Sequence, residues 1–516
     1  STQGYSSAAS DVYKRQIPHD ADGVIFWGGY PERYAKELSE NKSMIKSVKK
    51  VIDSGIACIA ECGGFLYLHS YLEGTDGKKY PMAGIIDGEA VNGKRLQRFG
   101  YMEVTPVSDG MACRCMQPLK THEFHYWKSC NPGSDFQVKK VSDESISMAG
   151  YNTEKLYAAF MHIYFFGNEE FGMNFIKKSC EYAAKKHWNN IAKPLNGLGN
   201  FEDIIVKIAG IQNTEHVDIS KKALVIMCAD NGIVEENVSQ SGQDVTAIVA
   251  ANMASCKSSV CLMAGYTGAQ VIPVDIGIAC ETIPSGKKID DMDGILHKKI
   301  SHGTKNFLKE HAMTDKQCIK AIETGKEIVK MCSEKGINII ATGEMGIGNT
   351  TTSAALAAIL LDEKPENVTG YGAGLTNEGL KNKTETVRKA CEMYSGYKDD
   401  ALKLLSCIGG LDIAGLAGVF IGGAEYGIPV VIDGLISGIA ALTAEYMSPG
   451  TKKYMIASHA GKEPALKKIL THLELKPVID ANLALGEGSG AVMVFPLLDM
   501  AMSVYNESCL LYTSPS

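Results

Sequence analysis

Gly343-Glu344-Met345-Gly346-Ile347-Gly348-Asn349-Thr350-Thr351 is a glycine-rich stretch between an apolar run and a helix-forming run. The apolar run, residues 337–341, predicts a buried strand, and residues 352–361 predict a helix that Asn349 or Thr350 would cap. Glycines let a backbone approach a phosphate closely, and the unpaired N–H groups of a first helical turn favour negative charge. The stretch predicts either a phosphate site or a tight turn without a ligand.

Composition limits the classes of function. The chain has 516 residues, enough for two or three domains of about 100–200 residues each. A hydrophobic fraction of 45% and a charged fraction of 22% are typical of soluble globular proteins. The formal net charge of -7 argues against nucleic acid or an acidic membrane as the partner and favours small-molecule substrates.

The 15 cysteines lie scattered, mostly in apolar runs, and no pair has the spacing of a zinc site. Their odd number and the lack of a signal-peptide pattern predict a cytoplasmic protein without a metal site. No uninterrupted apolar run reaches the roughly 18–20 residues that span a bilayer. Residues 1–16 and 508–516 lack the periodicity of their neighbours and are expected to be non-native or disordered extensions.

Residues 17–180 alternate between strand-like and helix-like runs. Residues 23–27 predict a strand that ends at Gly28-Gly29, and residues 56–60 predict a second strand that runs into Glu61-Cys62-Gly63-Gly64. A helical run separates them, so a parallel sheet is expected. A cysteine flanked by glycines between a strand and a helix is typical of a nucleophile, although a buried structural cysteine fits the same pattern.

A cysteine nucleophile needs a base from elsewhere in the chain. His162 follows a strand-like run and is the best candidate, with His122 and His125 as competitors. These three histidines therefore stand as alternatives on the pattern of the residues alone.

Four motifs of this region resemble, in order, the glutamine amidotransferase domain of cobyrinate a,c-diamide synthase, a class I amidotransferase with a flavodoxin-like fold. They are Gly28-Gly29-Tyr30-Pro31-Glu32, Ala60-Glu61-Cys62-Gly63-Gly64, Arg95-Leu96-Gln97-Arg98-Phe99-Gly100-Tyr101 and His122-Glu123-Phe124-His125-Tyr126. The resemblance implies that Cys62 attacks the glutamine carboxamide and that His162 shuttles the proton. It also implies that the backbone amides of Gly28, Gly29 and Gly63 hold the oxyanion.

Two departures from this family pattern matter. The position two residues after His162, where many amidotransferases carry an acidic orienting residue, is Tyr164, so no third triad member is visible. The family's ATP-binding domain is absent, and no G-x-x-x-x-G-K-[ST] loop occurs in the sequence. ATP and Mg would be needed only if a separate synthetase domain completed this part of the enzyme.

Residues 181–507 form a second α/β pattern. Four of its apolar strands end in polar side chains, and together with Glu344 these would face one cleft at the carboxyl ends of a parallel sheet. The four strand ends are Asp230, Asp275, Asp433 and Ser458-His459. Each alone is better explained as a cap or turn former, but five on one side predict a ligand crevice.

Glu487 lies among glycines within residues 485–491, just before an apolar helix. Partial burial there would raise its pKa toward neutrality, as a general base needs. The alternative is a glutamate that only complements the dipole of a helix.

Five motifs of the second part resemble nicotinate-nucleotide:dimethylbenzimidazole phosphoribosyltransferase, in order and over nearly all of residues 193–506. They are Lys193-Pro194-Leu195, residues 343–352, Gly374-Leu375-Thr376-Asn377-Glu378-Gly379, Asp433-Gly434 and residues 485–491. The resemblance implies a doubly wound parallel α/β domain with a small helical subdomain, and a homodimer formed through this domain.

The same resemblance implies roles for residues. Glu487 would take a proton from 5,6-dimethylbenzimidazole, whose other nitrogen attacks C1′ of nicotinate mononucleotide and releases nicotinate. No cofactor is implied for this step. The other residues implied at the site are Gly346, Gly348, Asn349, Thr350 and Lys383 at the phosphate, Gln243 at the benzimidazole, Glu344 between the substrates, and Asp230 and Asp433 at the cleft.

Three positions depart from this second family pattern. Asn231 stands where a histidine is expected, Asp412 replaces a glutamate, and His311 replaces a proline. Because Asn231 lies on the base side, a purine or a phenolic base is an alternative acceptor to dimethylbenzimidazole.

Three functions remain open on the sequence. The first is an enzyme of cobamide synthesis with a complete transferase and an incomplete amidotransferase. The second is a glutamine amidotransferase that passes ammonia to a separate ATP-dependent cobyrinate a,c-diamide synthase domain. The third is a non-catalytic module that binds a cobalamin intermediate or a nucleotide.

Overall fold

The structure is a computed structural model that describes residues 16–280, 294–372 and 374–511. Packing divides the chain into two compact units. One runs to Asn189 and includes Asn213–His216, and the other comprises Asn190–Gln212 and the chain from Val217. The expected extensions at residues 1–15 and 512–516 lie outside the described residues.

The first unit combines short strands with few helices. Its strands are Gly23–Phe26 (β1), Ala57–Glu61 (β2), His69–Glu73 (β3), Lys79–Pro81 (β4), Ile86–Asn92 (β5), Arg98–Pro106 (β6), Leu119–His125 (β7), Trp127–Ser129 (β8), Phe136–Lys140 (β9), Ile146–Ala149 (β10), Tyr151–Asn152 (β11), Leu156–Ala159 (β12) and His162–Ile163 (β13). Its helices are Ala35–Glu40 (α1), Lys42–Asp53 (α2), Gly63–Tyr67 (α3) and Glu169–Asn190 (α4). Helix α4 spans the boundary expected near residue 180 and ends where the first unit ends.

A parallel core organises the first unit. Strands β1, β2 and β12 pair in parallel, and β11 adds an antiparallel edge. All five residues of β2 are buried, as expected of a strand covered on both faces. The other two sheets have the strand orders β10-β9-β6-β7-β13 and β4-β3-β5-β8 and are mostly antiparallel. The predicted α/β class is confirmed, with more antiparallel structure than the sequence pattern indicates.

The second unit alternates strands and helices. Its strands are Lys222–Ala229 (β14), Gln270–Gly277 (β15), Leu296–His297 (β16), Ile339–Met345 (β17), Val430–Ile432 (β18), Met455–Ala457 (β19), His459–Gly461 (β20) and Ile479–Leu483 (β21). Its helices are Asn200–Gln212 (α5), Asp244–Ala254 (α6), Ser259–Thr267 (α7), Asp315–Glu334 (α8), Asn349–Leu360 (α9), Pro365–Val368 (α10), Asn377–Tyr394 (α11), Ala401–Ile408 (α12), Leu411–Tyr426 (α13), Leu435–Met447 (α14), Pro464–His472 (α15) and Ser489–Glu507 (α16).

A six-stranded parallel sheet forms the centre of the second unit. Its order is β16-β15-β14-β17-β18-β19. The chain builds outward from β14 on one side and, after α8, from β17 on the other, so the strand order reverses between β14 and β17. In open sheets of this kind, ligands bind at such a switch point, beyond the carboxyl ends of the strands. The predicted doubly wound fold is confirmed.

The glycine-rich stretch differs from its prediction in two respects. Strand β17 runs to Met345, so Gly343 and Glu344 belong to the strand. The turn begins later than predicted, at Gly346. The residue before helix α9 is Gly348, with φ of 96° and no side-chain cap. The predicted cap by Asn349 or Thr350 is therefore wrong, because both residues lie inside the first turn of the helix and Gly348 holds the cap position.

The two ends of the second unit meet. Helices α5 and α16 pack against each other, Ile191 pairs with Leu510, and the Ala192 N–H donates to the Cys509 carbonyl at 2.9 Å. Residues 509–511 thus take part in the fold, and the prediction that they lie outside it is wrong.

By length and hydropathy alone, Asp244–Thr267 is a candidate membrane span. In the structure this stretch is two helices, α6 and α7, separated by residues 255–258. Each helix is shorter than the roughly 20 residues that cross a bilayer.

Helices α8 and α13 approach closely because small residues face each other. A β-carbon on Gly325 would lie 2.1 Å from the Gly415 carbonyl oxygen, and one on Gly418 would lie 2.0 Å from the Ile322 carbonyl oxygen. Backbone cannot yield as a flexible side chain can, so this helix pair tolerates no added methyl group.

We expect Gly325→Ala to lower the free energy of unfolding by about 1–3 kcal/mol, because the helices must separate. Gly265→Ala is the matched control, since it lies in helix α7 and a β-carbon there would meet no atom within 4 Å. The control should leave the melting temperature unchanged or raise it, because alanine favours helix by up to about 1 kcal/mol. Thermal unfolding followed by circular dichroism measures both, and equal shifts would contradict the packing argument.

Candidate active sites

The glycine turn after β17 borders a cavity that opens to solvent, with about 440 Å³ of empty space when the open part is included. It is lined by Val238, Ser239, Gln240, Ser241, Gly346, Ile347, Gly348, Asn349, Thr350, Tyr371, Gly372 and Leu375. The predicted phosphate residues Gly346, Gly348, Asn349 and Thr350 thus line one cavity at the start of helix α9. The N–H groups and dipole of that helix favour an anion there.

Lys383 lies behind the cavity wall. It is fully buried, and its ammonium donates to the Thr350 hydroxyl at 2.9 Å and to the Gly370 carbonyl at 3.1 Å. Burial lowers the pKa of Lys383 to about 8, while the nearby carboxylate of Glu463 opposes this shift. An anion near Thr350 would therefore stabilise the charged form of this lysine.

Carboxyl groups gather where β17 ends. The Asn349 amide donates to Glu344 and also to Asp412, the latter at 3.0 Å. Burial, followed by the charge of Asp412, raises the pKa of Glu344 to about 8. Burial likewise raises the pKa of Asp412 to about 6. Near neutral pH Glu344 is therefore mostly protonated and can donate a hydrogen bond as well as accept one.

Glu487 lies on a loop that packs directly against β17. Its backbone is left-handed, with φ of 59°, and a β-carbon on Gly343 would lie 2.4 Å from the Glu487 carbonyl oxygen. The same loop brings Gly486 close to Glu344, since a β-carbon there would lie 3.2 Å from Glu344 Oε1. Glu344 and Glu487 are thus neighbours at the end of β17, while their contact with substrates stays a prediction.

The side chain of Glu487 is only partly satisfied by the protein. Its Oε2 atom is buried and has no hydrogen-bond partner among the described residues. Burial, and then the charge of Asp433, raises the pKa of Glu487. A buried carboxylate oxygen without a partner is poised to accept a proton.

Asp433 and Asp230 use their oxygens within the protein. Asp433 accepts the N–H groups of Gly488 at 3.2 Å and Ala491 at 3.0 Å. Asp230 accepts the Thr246 hydroxyl at 2.6 Å and the Ala279 N–H at 2.8 Å. Both aspartates therefore hold loops of the cleft in place, and their direct contact with a substrate stays a prediction.

Two of the three departures from the family pattern are neighbours. Asn231 accepts the Thr352 hydroxyl at 2.9 Å and also hydrogen-bonds Asp412. Gln243 donates to the Asn231 carbonyl at 3.4 Å. No pattern in the sequence indicates this arrangement, because Asn231 and Asp412 lie far apart along the chain. His311, the third departure, packs its ring against Tyr394.

Of the other strand ends, His459 lies near Asp433, and Asp275 lies near Asp230, whose pKa its charge raises after the larger effect of burial. Asp433 and His459 interact electrostatically, and a β-carbon on Gly490 would lie 2.1 Å from His459 Nδ1. Asp275 lies within β15, accepts the Ile278 N–H at 3.0 Å and pairs with Lys299 at 3.5 Å. Across the described ranges, no cluster of three or more His, Cys, Asp or Glu side chains is arranged to hold a metal ion.

The first unit contains the predicted nucleophile. Cys62 follows β2, precedes helix α3 and has φ of 47°, a left-handed conformation that places it on a sharp turn. Its backbone N–H donates to the Ala159 carbonyl at 2.8 Å, and its side chain is 9% exposed. All 15 cysteines of the chain are free. Cys58, in contrast, lies fully buried inside β2, and burial raises the pKa of its thiol.

His162 is the histidine that meets Cys62. Hydrogen bonds to Cys62 and then to Glu61 raise the pKa of His162 to about 10. The Nδ1 atom of His162 lies 3.2 Å from Glu61 Oε2. The raised pKa makes His162 a stronger base, and a base beside the thiol is what a cysteine nucleophile needs.

The competing histidines have other partners. His125 Nδ1 lies 2.6 Å from the Trp127 carbonyl oxygen, and its ring stacks on Phe160. The His122 ring packs edge to face with Phe99 and Tyr101. The structure therefore favours His162 among the three.

The glycines implied as oxyanion residues surround this pair. A β-carbon on Gly28 would lie 2.7 Å from His162 Cε1, and one on Gly63 would lie 2.7 Å from the Gly29 nitrogen. Only glycine fits such close backbone approaches. The three glycines thus lie at the nucleophile, while their binding of an oxyanion stays a prediction.

Glu61 is a site residue to which sequence reasoning assigned no role. It is 2% exposed, and its Oε1 accepts the Ile163 N–H at 3.0 Å. Tyr164, the position where an orienting acid was sought, is 67% exposed. The only signal in the sequence was a charged residue that ends an otherwise apolar strand, directly before Cys62.

Comparisons with known proteins match both units. Residues 173–511 match the model of a family described as phosphoribosyltransferase, and residues 4–170 match a CobB/CobQ-like glutamine amidotransferase domain. A nicotinate-nucleotide–dimethylbenzimidazole phosphoribosyltransferase from Acetivibrio thermocellus is 44% identical over 323 residues, which cover 62% of this chain and 89% of that protein. The protein of the same name from Clostridium acetobutylicum is 42% identical over 337 residues, which cover 65% of this chain and 93% of that protein.

A solved structure is similar as well. The crystal structure of CobT from Thermus thermophilus aligns with a TM-score of 0.60 at 32% identity, and covers 63% of this chain and 96% of that chain. The chain therefore belongs to the nicotinate-nucleotide–dimethylbenzimidazole phosphoribosyltransferase family, and it carries a CobB/CobQ-like glutamine amidotransferase domain before the transferase.

Proposed function

We propose that the second unit transfers the phosphoribosyl group of nicotinate mononucleotide to 5,6-dimethylbenzimidazole in the synthesis of the cobalamin nucleotide loop. The observation that carries this proposal is the Glu487 carboxylate, whose buried oxygen has no partner among the described residues and which borders the same cleft as Glu344. The relatives named for this reaction support the choice of substrates.

Glu487 acts as the general base. It removes the N–H proton of the benzimidazole, and the other ring nitrogen forms a bond to C1′ of the ribose while the bond from C1′ to the pyridinium nitrogen breaks. The electron pair of the broken bond neutralises the pyridinium, so nicotinate leaves without an added proton. The product is α-ribazole 5′-phosphate, formed with inversion, and the step needs neither a metal nor a redox cofactor.

Glu344 lies between the two reacting groups. In its protonated form it adds no second negative charge beside Glu487, so the proton of the acceptor base moves to Glu487. Asn349 holds Glu344 and Asp412 in place through its amide. Glu487 thus accepts the proton while Glu344 stays neutral, so that two nearby carboxyl groups take different roles.

The cavity at the start of helix α9 holds the 5′-phosphate. Its glycine backbone, the Thr350 hydroxyl and the positive end of the helix support this assignment. Lys383, whose ammonium donates to the Thr350 hydroxyl, supplies a positive charge behind the phosphate. Gln243 and Asn231 lie on the acceptor side, and a purine or phenolic acceptor is the alternative that a base-competition assay would reveal.

The first unit hydrolyses glutamine through Cys62 and His162. The raised pKa of His162 supports this second activity. Corrin amidation with the released ammonia would need ATP and Mg bound by a separate synthetase domain. We further propose that the protein acts in the cytoplasm, for which its free cysteines argue, and that the transferase unit forms a homodimer.

Replacing the base should abolish transfer without altering the loop. We expect Glu487→Gln to reduce nicotinate release about 10²–10⁴-fold, the usual contribution of a general base. Glu474→Gln is the matched control, because Glu474 also has a left-handed backbone but pairs with Lys452 at the surface. Nicotinate release from nicotinate mononucleotide and dimethylbenzimidazole measures both variants. Undiminished release by Glu487→Gln would show that Glu487 is not the general base.

The raised pKa of Glu344 predicts a pH-dependent stability. Between the ordinary pKa of a glutamate and about 8, the folded state holds a proton that the unfolded state has lost, so wild-type stability falls as pH rises. Glu344→Gln lacks this titration and should gain stability relative to wild type between about pH 5 and about pH 9. Thermal unfolding across pH tests this, with exposed Glu392→Gln as control. A difference that does not change with pH would refute it.

Cys62→Ser should remove glutamine hydrolysis and leave phosphoribosyl transfer intact, because the hydroxyl is a far weaker nucleophile than a thiolate. Cys115→Ser, a change of an exposed cysteine in the same unit, is the control and should retain both activities. Ammonia release from glutamine is the measurement. Hydrolysis that persists in Cys62→Ser would place the glutaminase activity elsewhere.

A further inference from the structure

The side chain of Glu61 is fixed at both carboxylate oxygens. Oε2 lies 3.2 Å from His162 Nδ1, and Oε1 accepts the backbone N–H of Ile163 at 3.0 Å. With 2% of its surface exposed, it cannot exchange these partners for water. One carboxylate thus contacts both the ring of His162 and the backbone of the next residue.

Backbone pairing holds the same elements together. Strand β2, which ends at Glu61, pairs in parallel with β12, so that Ala159 lies opposite Glu61. The Cys62 N–H donates to the Ala159 carbonyl at 2.8 Å. Because Glu61 and Cys62 are consecutive, the group that contacts His162 Nδ1 and the group that attacks substrate are linked by a single peptide bond.

We propose that Glu61 is the positioning residue of this site: it holds the His162 ring so that Nε2 serves Cys62, and it thereby completes a triad in which the orienting acid precedes the nucleophile. The inference rests on the glutamine hydrolysis proposed above. It replaces the acid that was sought two residues after His162, where the exposed Tyr164 stands.

The two ring nitrogens of His162 have different roles. Nδ1–H donates to Glu61, so Nε2 takes the thiol proton of Cys62. The thiolate forms a bond to the carboxamide carbon of glutamine, and the bond from that carbon to nitrogen breaks as Nε2–H protonates the departing ammonia. A water molecule, deprotonated by Nε2, then cleaves the thioester to give glutamate and restores the thiol. Glu61 keeps its charge throughout and stabilises the imidazolium.

Few other charged groups face His162. The strand beside β13 is β7, where His122 is its register partner and packs between Phe99 and Tyr101. Cys62 and Glu61 are the side chains that shift the pKa of His162. A change at Glu61 should therefore appear directly in the titration of the Cys62–His162 pair.

The test uses the full chain and two independent measurements. Glutamine hydrolysis is measured as kcat and KM across pH, and alkylation of Cys62 by iodoacetamide is measured across pH by peptide mass spectrometry, which separates Cys62 from the other cysteines. For Glu61→Gln we expect kcat to fall at least about tenfold with KM changed by less than about threefold. We also expect the alkylation profile of Cys62 to move to higher pH. Glu61→Asp, which keeps the charge, should restore part of both.

Glu123→Gln is the matched control, because Glu123 is equally buried and lies 3.5 Å from the ring of His125. It should leave the alkylation profile of Cys62 unchanged. A Glu61→Gln profile identical to wild type would overturn the proposal. If wild type shows no hydrolysis, the proposed activity fails, while the alkylation profiles still decide the role of Glu61. If Glu61→Gln does not fold, Glu61→Asp decides: its shorter side chain should lower kcat and move the alkylation profile part of the way to higher pH, and a kcat and a profile that both equal wild type would overturn the proposal.

Discussion

The transferase site depends on one buried carboxylate. Asp433, at the end of β18, accepts the N–H groups of Gly488 and Ala491, the residues that begin helix α16. These two bonds tie the loop of Glu487 to the sheet and place a negative charge near the base. Burial raises the pKa of Glu487, and the charge of Asp433, the same carboxylate that fixes its loop, raises that pKa further.

Both units use the same local device. Cys62 and Glu487 each follow a strand or an extended segment, each adopts a left-handed backbone, and each precedes a helix. Glycines beside them allow neighbouring backbone to approach where any side chain would collide. Strained positions of this kind persist only where the surrounding structure holds them, and they concentrate at functional sites.

The sequence predicted what local pattern determines. The strand Val430–Ile432 and the core of β14 were found because they are wholly apolar and wholly buried. The sequence-based predictions failed where the hydrogen-bond partner of a side chain comes from a distant part of the chain. Asn349 does not cap its helix, because it is the first helical residue, and its amide nitrogen donates to Glu344 and to the distant Asp412. Glu61 was passed over because its partner depends on the pairing of β2 with β12, which no spacing in the sequence reveals.

The contact between Gly343 and the Glu487 carbonyl makes one wall of the transferase cleft rigid. The strand and the base loop touch through backbone, so neither can move without the other. The opposite side, formed by residues 238–241 and by Tyr371, Gly372 and Leu375, is built of loops. Loops change conformation more readily than strands in direct backbone contact, so we expect any adjustment to a bound molecule on that side of the cleft.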